Sequence, residues 1–448
     1  MSFDIREHNL PLPKGWRYKK ISDVATVNAN TIRKKDAPDE IYYIDISSVS
    51  NGSFEPPKHM IYADAPSRAK RIVKKNDFIM STVRPNLKQY VFLDEVHENW
   101  IASTGFVVVS AIATGTEWYL YSVITSELFN EHLVRVADGG TYPAFNPKEI
   151  EDAVIFWPDK DSLRVINDLA FNLNTKQKNN TQTSQTLEQI AQAIFKSWFV
   201  DFDPVKAKIE ALAAGGSADD AELAAMRVIS AKTLDELSGL KASNFEAFNK
   251  LAQTASLFPA AMQDSELGGI PEGWDVVRIG DIVKRLKPNK RYSKKQVEPH
   301  GKTPVYEQGA SILLGFHNDD AGFEANPKDP IFIFGDHTCI THLSCSSFDI
   351  SSNVIPLKGS VRPTIWTYFA IQGKQEFQEY RRHWSEFIIK DIVLPSKKLA
   401  ESYTELVTTK YLMIESLRRE SKQLELLRDA LLPKLLSGEI DLASEVVA

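Results

Sequence analysis

The chain has 448 residues, a net charge of −6 and only two cysteines, Cys339 and Cys345. That length accommodates two domain-sized cores, and two thiols exclude a disulfide framework and fit a reducing, cytoplasmic compartment. The N-terminal MSFDIREHNLP lacks the charged-then-apolar pattern of a secretion signal, and no run reaches the roughly 18–20 apolar residues of a membrane span.

The opening segment LPKGWRYKKISDVA (12–25) returns 258 positions later as IPEGWDVVRIGDIV (270–283). Pro13, Gly15, Trp16, Ile21 and Asp23 recur as Pro271, Gly273, Trp274, Ile279 and Asp281. A second echo pairs SQTLEQIAQAIFKSWF (184–199) with SKQLELLRDALLPKLL (421–436), 237 positions on, and the same offset pairs Pro158 with Pro395. The chain therefore reads as a tandem duplication. The 21-residue change in offset falls between the opening segment and the closing proline. Within that window, residues 28–147 and 286–384 show no alignable similarity. A fixed frame carrying two dissimilar inserts predicts one geometry that presents two specificities.

In chain order, the first insert predicts strands over 41–47, 78–83, 89–94 and 100–111, a helix from Glu117 to Val136 and a strand over 153–158. A long helix follows, its seam running through Ile166, Ala170, Leu173, Gln177, Asn180, Ser184, Leu187, Ala191, Ile194 and Trp198. Residues 206–265, rich in alanine and acid, predict a helical or partly ordered connector to which no chemistry is assigned. The second insert predicts strands over 303–308, 330–336 and 353–359 and a helix from Thr364 to Ile371. The second long helix has its seam at Tyr403, Val407, Lys410, Ile414, Leu417, Ser421, Leu424, Leu431 and Leu435, and Pro433 should end or kink it. Each helix would run about 40 residues, roughly 60 Å. An intramolecular antiparallel pair is preferred over a coiled coil between chains, because one chain supplies two equivalent helices.

The acidic total hides two basic stretches. Residues 58–88 carry a local charge of +6 and residues 278–302 one of +7, one stretch in each half. Such clusters on an acidic chain fit a phosphate-binding footprint, although most charge runs are solvated faces. Catalytic motifs fail one by one. HGKT (300–303) lacks the upstream glycine of a phosphate loop, because Gln296 stands there. Neither half has a GxGxxG turn. NPKE (146–149) and NPKD (326–329) lack the second proline and aromatic of an amino-methyltransferase loop. GDHTCITHLSC (335–345) offers His337, Cys339, His342 and Cys345, but reads as strand or turn, where alternation scatters ligands to both faces. A polar, DNA-facing His337 with buried Cys339 and Cys345 is the preferred reading there.

Six segments together resemble a known family: the paired PxGW openings (13–16, 271–274), STVRPNLKQYVF (81–92), FGDHT (334–338), QAIFKSWFVDFDPV (192–205), DSELGGIPEGW (264–274) and LLPKLLSGEIDL (431–442). They span nearly the whole chain and resemble the specificity subunits of type I restriction-modification systems. The alanine-rich stretch at 206–250 departs from the family's commonest pattern. The resemblance implies an α/β (α+β) fold of two globular target-recognition domains joined by two long antiparallel coiled-coil helices, with an internal pseudo-twofold repeat. The domains would be recognition domain 1 over 1–158, the first long helix over 159–205, the connector over 206–265, recognition domain 2 over 266–395, and the second long helix with the tail over 396–448. It further implies that each domain reads one half of a split, asymmetric sequence on double-stranded DNA. Two modification subunits, bringing S-adenosylmethionine, and ATP-driven restriction subunits would dock on the chain, which itself would bind no cofactor or metal and catalyse nothing.

Within the inserts, arginine and asparagine are the residue types for base edges and lysine for phosphates. Arg84 and Asn86 in the VRPN turn come first, with Arg68, Lys70, Arg71 and Lys88 around them and Thr141 and Tyr142 on the GGTYP loop. In the second half the candidates are Lys287, Lys290, Arg291, Tyr292, Lys294 and His337, followed by Arg381 and Arg382. The alternative is a non-catalytic coiled-coil scaffold whose α/β modules bind protein; a self-sufficient methyltransferase-nuclease lacks its motifs.

Overall fold

The computed structural model describes residues 2–33, 36–309 and 311–440; the tail beyond 440 lies outside the described residues. The chain divides into two compact units. The first contains residues 1–179 and 421–448, the second residues 180–420, so each takes part of both long helices.

The frame seen in the sequence has a simple physical form. In the first unit the strand Arg17–Lys20 pairs antiparallel with Val154–Trp157, Arg17 opposite Trp157. In the second, Asp275–Arg278 pairs antiparallel with Asp391–Leu394, Asp275 opposite Leu394. Each opening segment is thus clasped to the strand that leads, through Pro158 or Pro395, into a long helix. Those helices are Lys160–Phe199 and Lys397–Leu436. Pro433 lies inside the last turn of the second, which ends three residues later at Leu436.

The helices are antiparallel in both units. In the first, Ile166 and Ala170 share a core with Leu432 and Leu435, and the Gln177 side-chain amide donates to the Ser421 carbonyl. In the second, Asn180 donates to Glu420, Arg418 reaches Glu188, and the Tyr403 hydroxyl donates to the Ala191 carbonyl. The seam differs from the heptad reading where Ile194, Lys410 and Leu431 are half-buried and the next residues, Phe195, Tyr411 and Leu432, are buried instead.

The inserts, which share no alignable sequence, share a topology. The first unit has a four-stranded antiparallel sheet in the order Ala25–Val27, Phe106–Ala111, Asp77–Ser81, Tyr90–Leu93. The second repeats it as Val283–Arg285, Val354–Gly359, Ile331–Gly335, Thr341–Ser344. Period-two alternation sorts the central strands between two cores. Phe78 and Met80 face one core and Ile79 the other; Phe332 and Phe334 face one and Ile331 and Ile333 the other. A second sheet covers the other face, again with one wiring. The hairpin of Glu40–Ile44 and Lys58–Ile61 takes Trp100–Ser103 in parallel, as the hairpin of Thr303–Tyr306 and Leu313–His317 takes Asp349–Ile350. The first unit adds one strand, Ala69–Ile72.

Two elements break where the sequence reading ran on. The helix expected from Glu117 to Val136 is two, Glu117–Ile124 and Glu127–Val136, because the Ser126 hydroxyl caps the second. The strand expected over 100–111 breaks at Thr104 and Gly105. Residues 203–256 contain four helices, Asp203–Ala213, Ala218–Ser230, Leu234–Ser243 and Phe245–Ser256, with capping boxes at Ser217/Asp220 and Thr233/Glu236. Their core includes Met226, Leu237 and Ala255. Among the described residues, no helix is long and apolar enough to cross a membrane.

Candidate nucleic-acid interface

The shared wiring puts one hairpin loop of each unit in the same place, between the third and fourth strands of the main sheet. In the first unit it is residues 82–89, in the second residues 336–340. These are the VRPN and GDHTC segments, which no alignment relates.

The first loop is held in an uncommon backbone conformation. Arg84 and Lys88 have φ of 50° and 51°, on either side of the short turn Pro85–Leu87. Left-handed non-glycine residues are uncommon and cluster at functional sites. The Arg84 amide donates to the Pro143 carbonyl at 2.7 Å, tying the hairpin to the GGTYP loop. Its guanidinium donates to the Thr141 carbonyl through Nη2 at 2.9 Å and lies 4.5 Å from the centre of the Tyr142 ring. Asn86 is exposed at the tip, and Lys88 is paired with Glu127. Arg84, Thr141 and Tyr142 are therefore brought together.

The second loop is tied to a later loop in the same manner. The Asp336 carboxylate accepts from the backbone amides of His383 at 3.2 Å and Trp384 at 3.0 Å, and the Asp336 carbonyl accepts from His383 at 2.8 Å. Arg382 lies 3.8 Å from the same carboxylate, while Arg381 is paired with Glu379 and Glu386. The His337 ring meets the Tyr380 ring edge-on, centroids 4.7 Å apart. Tyr380 was not singled out in the sequence, because it sits among charged residues without a motif. The position could have been found: Tyr142 lies 16 residues before Pro158 and Tyr380 lies 15 before Pro395. Replacing Asp336 by alanine is expected to free the loop at a cost of about 1.5–3 kcal/mol for a charge-assisted contact. Amide exchange at Trp384, whose acceptor is lost, should then accelerate roughly 10- to 150-fold, while His383 keeps its bond to the main-chain carbonyl at 336.

The other candidates are scattered. Arg68 and Lys70 are exposed on or beside the strand Ala69–Ile72. Arg71, on that strand, is half-buried, reaches Thr31 at 3.4 Å and has an Nε without a hydrogen-bond partner among the described residues; burial lowers its pKa. Lys287, Lys290 and Lys294 are exposed in the loops between Val283–Arg285 and Thr303–Tyr306. Arg291 donates to the carbonyls of Ser351 and Val354, at 2.6 and 2.9 Å. Tyr292 is buried, stacked on His317 with Lys290 over its ring, and presents no face to solvent. The two basic stretches thus fall on elements that do not correspond in the shared topology, so their one-per-half occurrence is not part of the repeat. Cys339, expected to be buried, is half-buried in a left-handed conformation, φ 59°; Cys345 is buried. Among the described residues no three His, Cys, Asp or Glu side chains gather as metal ligands would.

No family model matches the chain. It is 31% identical to the type I restriction enzyme HindI specificity subunit of Haemophilus influenzae, over 95% of this chain and 99% of that one. The type I restriction enzyme MjaIX specificity subunit of Methanocaldococcus jannaschii is 22% identical over 96% of this chain and 94% of that one. A crystal structure of a type I restriction-modification S subunit from M. genitalium, 14% identical, covers 95% of this chain and 96% of that one with a TM-score of 0.46. The duplicated frame, the paired long helices and a near-complete match at 31% identity have one common explanation: the chain belongs to the specificity subunits of type I restriction enzymes.

Proposed function

We propose that the chain is the DNA-reading subunit of a type I restriction-modification complex and that each unit reads one half of an asymmetric, two-part target. The single observation that carries this is the hairpin loop that recurs at the same point of the same sheet with different side chains, Arg84 and Asn86 in one unit and His337 in the other. One scaffold with two unlike reading surfaces specifies two unlike half-sites. Arginine suits a guanine edge through a bidentate contact, and exposed lysines such as Lys70, Lys287 and Lys294 suit phosphates.

Two modification subunits dock on the long helices in this reading and bring S-adenosylmethionine; ATP-dependent restriction subunits join them in the cytoplasm. The chain contributes sequence recognition and no bond-breaking step.

The test is to co-express the chain with its modification subunit and map methylated adenines genome-wide. A split motif of two unlike halves at a fixed gap is expected, and an assembled complex that adds no methylation would sink the proposal. In the same assay Arg84→Ala is expected to relax one half-site by about 1–3 kcal/mol while the complex still assembles. Equal loss at both half-sites would count against that role.

A further inference from the structure

In the second unit both ring nitrogens of His337 and the hydroxyl of its neighbour Thr338 are shielded from solvent, and none has a hydrogen-bond partner among the described residues. Three unpaired polar atoms in one short loop run against the rule that buried polar groups are satisfied. Leaving a buried donor or acceptor unpaired costs free energy that a ligand supplying the partner recovers. The side chain set edge-on to this imidazole is Tyr380, itself 72% exposed and free of the core. The first unit has the matching arrangement. Tyr142, 67% exposed, lies against the Arg84 guanidinium, two of whose donors are spent on the Thr141 carbonyl of the same loop.

We propose that Tyr380 and Tyr142 are matched specificity-determining residues, each covering the base-reading side chain of its own unit and moving aside when a base edge takes its place. This rests on the DNA-reading function above and extends it to residues and a step which that reading does not contain. The major-groove edge of a base pair carries both donors and acceptors. A neutral imidazole with one donor and one acceptor nitrogen matches such an edge, whereas a phosphate offers only acceptors. Moving Tyr142 aside exposes the guanidinium edge whose Nη1 and second Nη2 hydrogen are not engaged by the Thr141 carbonyl, and these can face a guanine. The cover keeps each group out of non-specific contacts until a base competes for it, so removing the cover lowers discrimination more than affinity.

The cover is tested without DNA by the reaction of His337 with diethyl pyrocarbonate, read by peptide mass spectrometry in the full chain. Tyr380→Ala is expected to raise the His337 rate about tenfold, and Tyr380→Phe, which keeps the ring, to leave it near wild type. An unchanged rate in the alanine variant, or equal acceleration by phenylalanine, overturns the cover. The reading role is tested by methylation mapping of complexes whose assembly is checked by gel filtration. Tyr380→Ala and His337→Ala are expected to relax the same half of the motif by about tenfold or more, and Tyr142→Ala the other half. A split wild-type motif that no tyrosine variant alters, or that each alters in both halves, overturns this inference and leaves the DNA-reading function standing. A wild-type complex without any split motif removes the function itself.

Discussion

Tyr403→Ala is expected to destabilise the second unit by about 4 kcal/mol, the largest effect of any single substitution considered for this chain. Tyr403 is wholly buried where the two long helices meet the second sheet's helical cover. Its ring lies edge-on to Phe195, Phe199 and Phe369, at centroid separations of 5.5, 5.4 and 5.9 Å. Its hydroxyl crosses to the Ala191 carbonyl on the other long helix at 3.0 Å. Alanine removes the whole ring from a packed cluster of aromatics and leaves a cavity, whereas Tyr403→Phe removes only one hydrogen bond, about 1 kcal/mol. Hydrogen exchange of the intact chain separates the two. The alanine variant should lose protection across 180–199 and 397–420 while the sheet Asp77–Ser81/Tyr90–Leu93 in the first unit keeps it. Uniform loss in both units, or an alanine variant no weaker than the phenylalanine one, would contradict this account of the helix pair.

The second large effect is acid lability of the second unit, set by His342. Its ring packs 4.9 Å from the Tyr306 ring on the edge strand Thr341–Ser344. Burial pushes the imidazole down to about 4, and the positive charge of Arg418 pushes the same way. The unfolded chain binds the proton near pH 6.5, well before the folded one does, so protonation favours unfolding. No penalty exists above about pH 7. It grows as pH falls through 6.5, reaches about 1.4 kcal/mol at pH 5.5, and approaches a ceiling of about 3 kcal/mol near pH 4. His342→Gln, neutral throughout, should flatten this part of the stability profile in urea titrations between pH 7 and 5. An identical pH slope in that variant would assign the acid sensitivity to other groups.

What the sequence disclosed depended on which physical signal survives divergence. The two long helices and their antiparallel pairing were legible because a seam of Ile166 and Ala170 against Leu431 and Leu435 needs a fixed spacing. The frame was legible because Pro13, Gly15 and Trp16 hold a turn whose geometry few residues satisfy; Gly15 and Gly273 both have positive φ, 85° and 76°. The common topology of the inserts was not legible. A buried strand asks only for alternating bulk, so FIMS and FIFG can do the same work at the same position without any shared identity that alignment would detect. Lys410 was placed in the seam by counting heptads, but a 3.6-residue helix drifts against that count and brings Tyr411 inward instead. Of the interface, Arg84, Thr141 and Tyr142 are each legible as candidates from residue chemistry, but that they meet is shown only by the structure. The burial of Tyr292 and the place of Tyr380 came from tertiary packing, which no local pattern encodes.

The first unit is not contiguous in the chain: it is completed by residues beyond 420, among them Leu431, Leu432 and Leu435, which pack on its core. On the ribosome this inverts the usual order in which the N-terminal part finishes first. At roughly 5–20 residues per second, synthesis of the intervening 180–420 segment takes tens of seconds. Throughout that interval the apolar side of Ile166 and Ala170 lacks the C-terminal helix it packs against. A premature stop near residue 420 would therefore leave the second unit's sequence complete and strike instead at the first, hundreds of codons upstream of the lesion.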